Sequence, residues 1–328
     1  MHLELVVPGL LPAEAEAPAL ALLLARGRRA EAAPAALEPW LARAFALDGE
    51  ALPAGALSAH AAGLDAAAGH WLRADPVHLR ADRDRLLLIP AEGFSIAAAE
   101  AAALAEALGK HYANEFSLHV LRPDLWCLRS PGEMAVRARP PLEIAGRDVD
   151  PELPDQRFHA LLNEMQMALY QHPVNTAREA RGEPVVNGLW LWGAGALPAA
   201  PQVPWASLSA EEPAALGLAK LAGLRHRAPG PEAAAWLERA PDDGRHLVLL
   251  EELRGAQALG DAAALADRLA ALEVRWFAPL LAALRAGRIG MLTVHAPEAG
   301  LAFETARGDL RRFWRRPRPL SAWGGARA

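Results

Sequence analysis

The chain has 328 residues, a formal net charge of −5, and 52% hydrophobic against 22% charged residues. That is enough to bury a full core as one large domain or two smaller ones. The acidic balance argues against a nucleic-acid-coating protein, which carries a basic field over its surface. The single cysteine, Cys127, excludes an internal disulfide and a thiolate metal cluster.

Leu3 to Val7 reads as a short apolar strand closed by Pro8-Gly9. Met1 to Gly9 lacks the positive start of a secretory signal, and the apolar run Ala19 to Ala25 is far shorter than the roughly 20 residues that span a bilayer. No membrane attachment is expected, and the cytoplasm is the expected location. Ala13 to Leu47 is rich in Ala and Leu but broken by prolines, which predicts short helices. A Pro/Gly/Ala-rich link, Leu52 to Gly69, leads to Trp71 to Leu79, and a hairpin turning at Asp82-Arg83-Asp84 feeds Leu86 to Ile89. Ser95 is placed to cap a helix running to about Leu108. Phe116 to Arg129 reads as two strands, with Cys127 a buried, inert thiol. Ser130 to Pro154, rich in Pro, Gly and charge, reads as a boundary.

A helix is expected from Asp155 to Gln171, because Phe158, Leu161, Leu162, Met165 and Leu169 share one face at helical spacing; Pro173 stops it. Along Val185 to Trp192, Trp190 and Trp192 share one face and Leu189 and Leu191 the other, as in a central parallel strand buried on both sides. Ser209 and Glu212 form a capping-box pattern opening a helix towards Ala222. Leu247 to Leu250 is another strand. The helix Asp261 to Arg285 carries the stripe Leu265, Leu269, Leu272, Trp276, Leu280 and Leu284, and strands Ile289 to His295 and Leu301 to Thr305 follow. Strand–helix alternation predicts an α/β protein with a three-layer α/β/α core, a mainly parallel sheet and a smaller α/β segment. The expected segments are 1–70, an N-terminal part of the core; 71–154, the smaller segment; 155–306, the main core; and 307–328, a basic aromatic tail.

Four groups of residues carry candidate chemistry. In the first, Arg178 offers its planar fork to a phosphate or carboxylate, with His172, Asn175, Asn187 and the Gly193/Gly195 loop completing the cradle. The same residues also read as structural: His172 at a helix end, Asn175 as a cap, the glycines as turns. Asp75, His78, Asp82 and Asp84 supply metal-ligand types, but on a hairpin they read better as turn residues, so no metal is expected there. Ser58, with His60 nearby, is the only serine before Ser95 and a nucleophile candidate without a visible orienting partner. The tail Arg311 to Leu320 mixes arginines with Phe313 and Trp314, which suits an acidic partner or phosphates.

His172-Pro173-Val174-Asn175 with Arg178, Gly182, Pro184, Asn187 and Trp190-Leu191-Trp192-Gly193-x-Gly195 closely resembles the archaeal type of cofactor-independent phosphoglycerate mutase, in the alkaline-phosphatase superfamily; order and spacing both match. Fainter similarity continues through Gly217 to Gly223 and Leu247 to Leu250 to the helix from Asp261, so the resemblance covers roughly the second half. Over its full length, with Trp71 to Leu79 and the Phe313 to Leu320 ending, the chain is also similar to a bacterial group, some of whose members are labelled regulatory protein E of a pathogenicity-factor cluster.

The resemblance implies an alkaline-phosphatase-like core. Such mutases use two metal ions, held by Asp and His, and a serine that takes the phosphoryl group. Where that family has Asp-Gly-x-Gly-Asp after the first strand, this chain reads Val6-Val7-Pro8-Gly9-Leu10, with no aspartate before Asp48. After Leu247 to Leu250, where the family has an Asp-x-x-x-His pair, it reads Glu251, Glu252, Leu253, Arg254 and Gln257; the late Asp-His step is reduced to Val294-His295. The expectation is a retained architecture without its catalytic centre. Such a protein would need no cofactor, bind a small phosphorylated or carboxylated molecule or a protein partner, and act in regulation. The alternative is a phosphoglycerate mutase or phosphohydrolase with an altered site around Ser58, His295 and Glu251. A third reading is an assembly protein using the Arg-rich tail; nucleic-acid binding is not expected.

Overall fold

A computed structural model describes every residue except Pro12, Glu14, Gly49, Glu50, Pro154, Asp155, Asp242 and 325–328. The expected helix start at Asp155, the boundary residue Pro154 and the last four residues of the tail thus lie outside the described residues. In chain order the strands are β1 (His2–Val6), β2 (Arg28–Glu31), β3 (His70–Asp82), β4 (Arg85–Pro90), β5 (Ser117–Arg122), β6 (Leu125–Ser130), β7 (Gly188–Gly195), β8 (Ser207–Ser209), β9 (Arg225–Arg227), β10 (Arg245–Leu249), β11 (Met291–Ala296) and β12 (Leu301–Ala306). The chain forms two compact units, Met1–Leu47 with Ala200–Ala328, and Asp48–Ala199. Their borders fall elsewhere than the expected 70 and 154.

The first unit is built on a seven-stranded sheet ordered β2-β12-β11-β1-β10-β8-β9. From β11 to β9 every pairing is parallel, while β12 and β2 close one edge antiparallel. The α/β expectation holds, and the mainly parallel sheet with it. Strand β1 sits in the middle because its side chains alternate. Leu3, Leu5 and Val7 enter a core with Leu20, Leu23, Leu269 and Leu284, while Glu4 points to the other face, where Trp205 meets it. Trp205 in turn packs on Phe45, the residue after helix Leu37–Ala44, so both faces of the sheet are covered.

The expected long helix from Asp261 is Ala262–Leu272, a wider π turn Glu273–Phe277, and Ala278–Ala286. Pro279 accounts for the break: it has no N–H to donate, and its ring would press on the carbonyl a turn earlier in a regular helix. Glu273 in the π turn accepts the Ala19 and Leu20 N–H groups at 2.6 and 3.2 Å. It thereby caps the helix Pro18–Arg26, whose own N-terminal residue Ala17 provides no side-chain cap. The Ser209 capping box does not form. Pro213 takes the first helical position and Glu212 becomes the cap, while the Ser209 hydroxyl accepts Trp236 Nε1–H at 3.0 Å.

The second unit is an antiparallel five-stranded sheet in which the long β3 pairs with β4, β6 and β7. The hairpin and the two strands around Cys127 lie where expected. Strand β7 corrects the expectation of a central parallel strand: it runs antiparallel to β3. Both its faces are buried for different reasons. Leu189 and Leu191 pack with Met165 and Leu169 of helix Gln156–Tyr170, whereas Trp190 and Trp192 donate their ring N–H groups to Arg139 O and Asp75. Through this pairing, helix Gln156–Tyr170 and β7 join the second unit, away from the main core to which sequence assigned them.

Helix Ala54–Ala61 lies where a link was expected, and it explains the Gly-x-Gly. At Gly193, with φ of +57°, a Cβ would stand 2.7 Å from Ala54 Cβ; at Gly195 one would stand 2.7 Å from Pro53 Cβ. The glycines let strand and helix approach within the same unit. Gly193→Ala meets both a left-handed backbone and a clash, and is expected to destabilise this unit by about 1–3 kcal/mol. Urea denaturation checks this; an unchanged midpoint would reject the close-approach role.

Candidate functional site

Parallel pairing of β1 with β10 and β11, and of β10 with β8, brings the segments after four strand ends to one edge of the first unit's sheet. In open α/β folds this carboxyl edge is where ligands bind. Gly9 follows β1, Glu298 follows β11, Glu251 and Arg254 follow β10, and Glu212 follows β8. They are tied together. The Gly9 N–H donates to Glu298 at 3.2 Å, the Glu212 N–H donates to Glu251 at 3.1 Å, and Arg254 Nη2 pairs with Glu38 of helix Leu37–Ala44 at 2.7 Å. Gly9 has φ of +81°, and a Cβ there would touch the Gln257 side chain at 3.0 Å, so the turn after β1 requires glycine.

Arg254 is the cation of this edge. Burial works against its charge, but Glu38, Glu251 and Glu212 outweigh that cost and hold it firmly protonated. Burial pushes the Glu251 carboxyl up to about 7, and the nearby Glu212 charge adds to this against the pull of Arg254. Burial likewise raises Glu298. Two carboxylate oxygens, Glu38 Oε2 and Glu251 Oε1, are buried without a hydrogen-bond partner. One guanidinium thus serves several acids, and burial biases Glu251 and Glu298 towards their protonated forms.

Deeper in the same unit, Glu4 is almost fully buried. It accepts from Trp205 Nε1 at 3.1 Å and Arg245 Nη2 at 2.6 Å, and lies 3.2 Å from His295 Nε2. A carboxylate only accepts, so Nε2 carries the proton. Burial pushes the Glu4 carboxyl up, but the His295 and Arg245 hydrogen bonds win and hold it down at about 2. His295 also packs edge-on against Trp40. Its ring is therefore fixed by a carboxylate and an indole. Sequence reading missed Glu4; the signal was a lone charge inside an otherwise apolar central strand.

The residues of the expected Arg178 cradle fall in the second unit, where Arg178, Asn175, Asn187 and His172 bond to other groups of the chain. Arg178, 1% exposed, donates to Pro184 O, Glu100 and Ser95 O at 2.7, 2.6 and 2.9 Å. Asn175 bridges Leu169 O and both backbone groups of Val186. Asn187 pairs with both backbone groups of Leu79. His172 Nδ1 accepts the Val174 N–H and caps helix Pro173–Ala180. Arg178, Asn175 and Asn187 thus tie segments of the second unit together, while His172 caps its own helix. Ser95 acts through its carbonyl on Arg178, and the helix it was expected to cap starts at Ala98, with Glu100 accepting the Ala97 N–H.

The hairpin acids are also accounted for. Asp75 receives a forked Arg73 at 2.9 and 3.0 Å and the Trp192 ring N–H at 2.7 Å, all buried. His78 Nδ1 faces Val185 O, and Asp82 and Asp84 are exposed. Ser58 is fully buried within helix Ala54–Ala61, its Oγ without a hydrogen-bond partner. It belongs to the second unit, whereas His295 and Glu251 belong to the first. Among the described residues, no group of three or more His, Cys, Asp or Glu side chains is arranged to hold a metal ion. With a guanidinium fixed among the carboxylates, the strand-end residues do not fit a two-metal centre.

Compared with known proteins, the sequence matches no family model and no curated protein. Among solved structures, a cofactor-independent phosphoglycerate mutase from Thermoplasma acidophilum is similar at 19% identity, over 99% of this chain and 95% of that one, with a TM-score of 0.48. The PH0037 protein of Pyrococcus horikoshii is similar at 14% identity, over 93% of this chain and 87% of that one, also with a TM-score of 0.48. No helix of the described residues is long and apolar enough to cross a membrane.

Two outcomes follow. Arg178→Ala leaves the Pro184 and Ser95 carbonyls without their guanidinium partner and Glu100 with Arg181 as its remaining cation, and is expected to cost about 1–3 kcal/mol in chemical denaturation with no ligand present. A variant as stable as the parent would return Arg178 to the pool of binding residues. For Glu251, a carboxyl raised in the fold contributes stability that is full below its unfolded pKa, near 4.5, and is lost as pH rises through about 7. Glu251→Gln keeps an acceptor for the Glu211 and Glu212 N–H groups and removes that loss. The variant is expected to match the parent near pH 4 and to be the more stable of the two at pH 8. Parallel stability–pH curves would show that Glu251 is not raised.

Proposed function

We propose that this chain is a catalytically degenerate phosphoglycerate-mutase-like protein that works by binding, in a regulatory role of the kind implied by its likeness to the bacterial regulatory group, and in the cytoplasm. The observation that carries the proposal is Arg254, paired with Glu38 and neighboured by Glu212 and Glu251 at the carboxyl edge of the parallel sheet. Phosphoryl transfer of the two-metal kind needs exchangeable cations held by several oxygen and imidazole ligands each. Here the cation at the strand ends is covalently part of the chain, and the turn after β1 is Val7-Pro8-Gly9.

The binding reading also fits the nucleophile question. A serine that attacks phosphorus must present its oxygen to substrate and lie beside a base. Ser58 offers a fully buried hydroxyl in mid-helix. A phosphorylated or carboxylated ligand at His172, Asn175, Arg178 and Asn187 would have to displace the internal bonds of the second unit, so the proposal places none there.

The test is turnover. Purified protein with added manganese is expected to release no phosphate from phosphoesters and to interconvert no phosphoglycerates above the level of its Ser58→Ala variant. Manganese is expected to leave the melting temperature unchanged. Turnover that Ser58→Ala abolishes would replace this reading with an active mutase or phosphohydrolase.

A further inference from the structure

The C-terminal segment of the first unit carries a feature that the strand-end site does not use. Phe313 and Trp314 are 78% and 67% exposed. They touch each other edge to face, with centroids 5.3 Å apart and planes at 81°. Adjacent large rings left in water are unusual, because an aromatic side chain gains most from burial.

Their exposure is not that of a loose end. Arg312 Nη1 donates to Arg26 O at 3.1 Å and its other arm pairs with Asp309 at 2.8 Å. Arg315 Nη1 donates to Gly27 O at 2.8 Å, and Arg26 donates back to Leu310 O. These bonds fasten the segment to the carboxyl end of helix Pro18–Arg26, where cations are favoured. Leu320 is buried beyond the rings, and Trp323 packs on Phe303. The backbone on both sides is anchored while the rings face outward, so they are held ready for contact.

Charge supplies the character of the partner. Arg311, Arg316 and Arg318 are exposed and flank the rings in sequence, Arg318 lying over the Trp323 ring at 5.9 Å, and across residues 307–318 six arginines stand against one acid, Asp309, in a chain of net charge −5. Exposed aromatics rimmed by arginine are the side chains that dominate protein–protein contacts. Single-stranded nucleic acid fits less well. Stacking of successive bases needs ring faces presented in series, and these two rings stand at right angles.

We propose that the segment from Arg311 to Arg318 is a docking surface for an acidic, apolar-containing segment of a partner protein. Phe313 and Trp314 are its anchors, and Arg311, Arg316 and Arg318 its charged rim. The anchors set how tightly the partner is held, and the rim sets encounter and salt dependence. This surface is independent of whether the strand-end edge is catalytically silent.

The probe is a fluorescently labelled peptide alternating glutamate with leucine, followed by anisotropy on the full chain. Binding is expected, weakening with salt. Trp314→Ala is expected to weaken it about thirty-fold, the size of an interface hot spot. Paired Arg311→Glu and Arg316→Glu changes are expected to slow association and flatten the salt dependence. All three positions are exposed, so unchanged melting temperatures separate loss of binding from loss of fold. Labelled oligothymidylate and vesicles of phosphatidylserine are the competing probes. Tighter binding of either one, peptide binding indifferent to Trp314→Ala, or no peptide binding would overturn the proposal.

Discussion

Parallel pairing about β1 is the constraint from which the candidate site follows. Once β10 and β11 flank β1 in parallel and β8 flanks β10, the turns after all four strands must gather at one edge. Whatever charges those turns carry then lie together in a partly dry setting. Here they carry carboxylates, and carboxylates brought together out of water demand a cation or protons. Arg254 supplies the cation, and burial raises Glu251 and Glu298, biasing them towards their protonated forms. Topology created the problem; one arginine and this bias towards protonation answer it locally.

The same unit shows a second solution to the same problem. Glu4 lies within the sheet and keeps its charge, because three donors from different strands and loops converge on it. Glu251 has only two backbone N–H groups and a more distant guanidinium. Desolvation with a neighbouring carboxylate at Glu251, against hydrogen bonds from His295 and Arg245 at Glu4, separates a carboxyl pushed towards 7 from one held near 2. Acids of opposite tendency within one sheet mark where charge is fixed and where it can change with pH.

Much of the fold was legible because apolar periodicity is local information. The stripe from Leu265 to Leu284 and the face from Phe158 to Leu169 both form helices, and the stripe was interrupted only where Pro279 forces a wider turn. Strand β7 misled because burial on two faces was read as parallel pairing, whereas helix packing on one side and indole hydrogen bonds on the other give the same pattern. Helix Ala54–Ala61 was hidden by its alanines and glycine, which carry no stripe. The polar motif from His172 to Asn187 was recognised as special, but its partners Glu100, Leu79 and Val186 lie in other elements, and only the fold decides whether such groups face a ligand or the chain. Arg254 was visible as a residue and invisible as a counter-ion, since Glu38 lies more than two hundred residues away in sequence.

Arginine runs through each of these arrangements, and the near absence of lysine gives it structural weight. Arg178 satisfies three separate acceptors with a rigid fork, Arg73 grips Asp75 while covering the Trp192 ring at 5.0 Å, and Arg254 is shared among acids. A lysine has three donors on one point charge and deprotonates more readily when buried, so it could replace none of them without leaving an acceptor bare. Buried arginines here do what an apolar core alone cannot, fixing directions as well as distances between helices and strands. The same residue type divides in the tail: Arg312 and Arg315 find carbonyls, Arg318 lies over the Trp323 ring at 5.9 Å, and Arg311 and Arg316 are exposed to solvent. Whether an arginine in this chain holds the fold or faces outward is decided by the acceptors its surroundings provide.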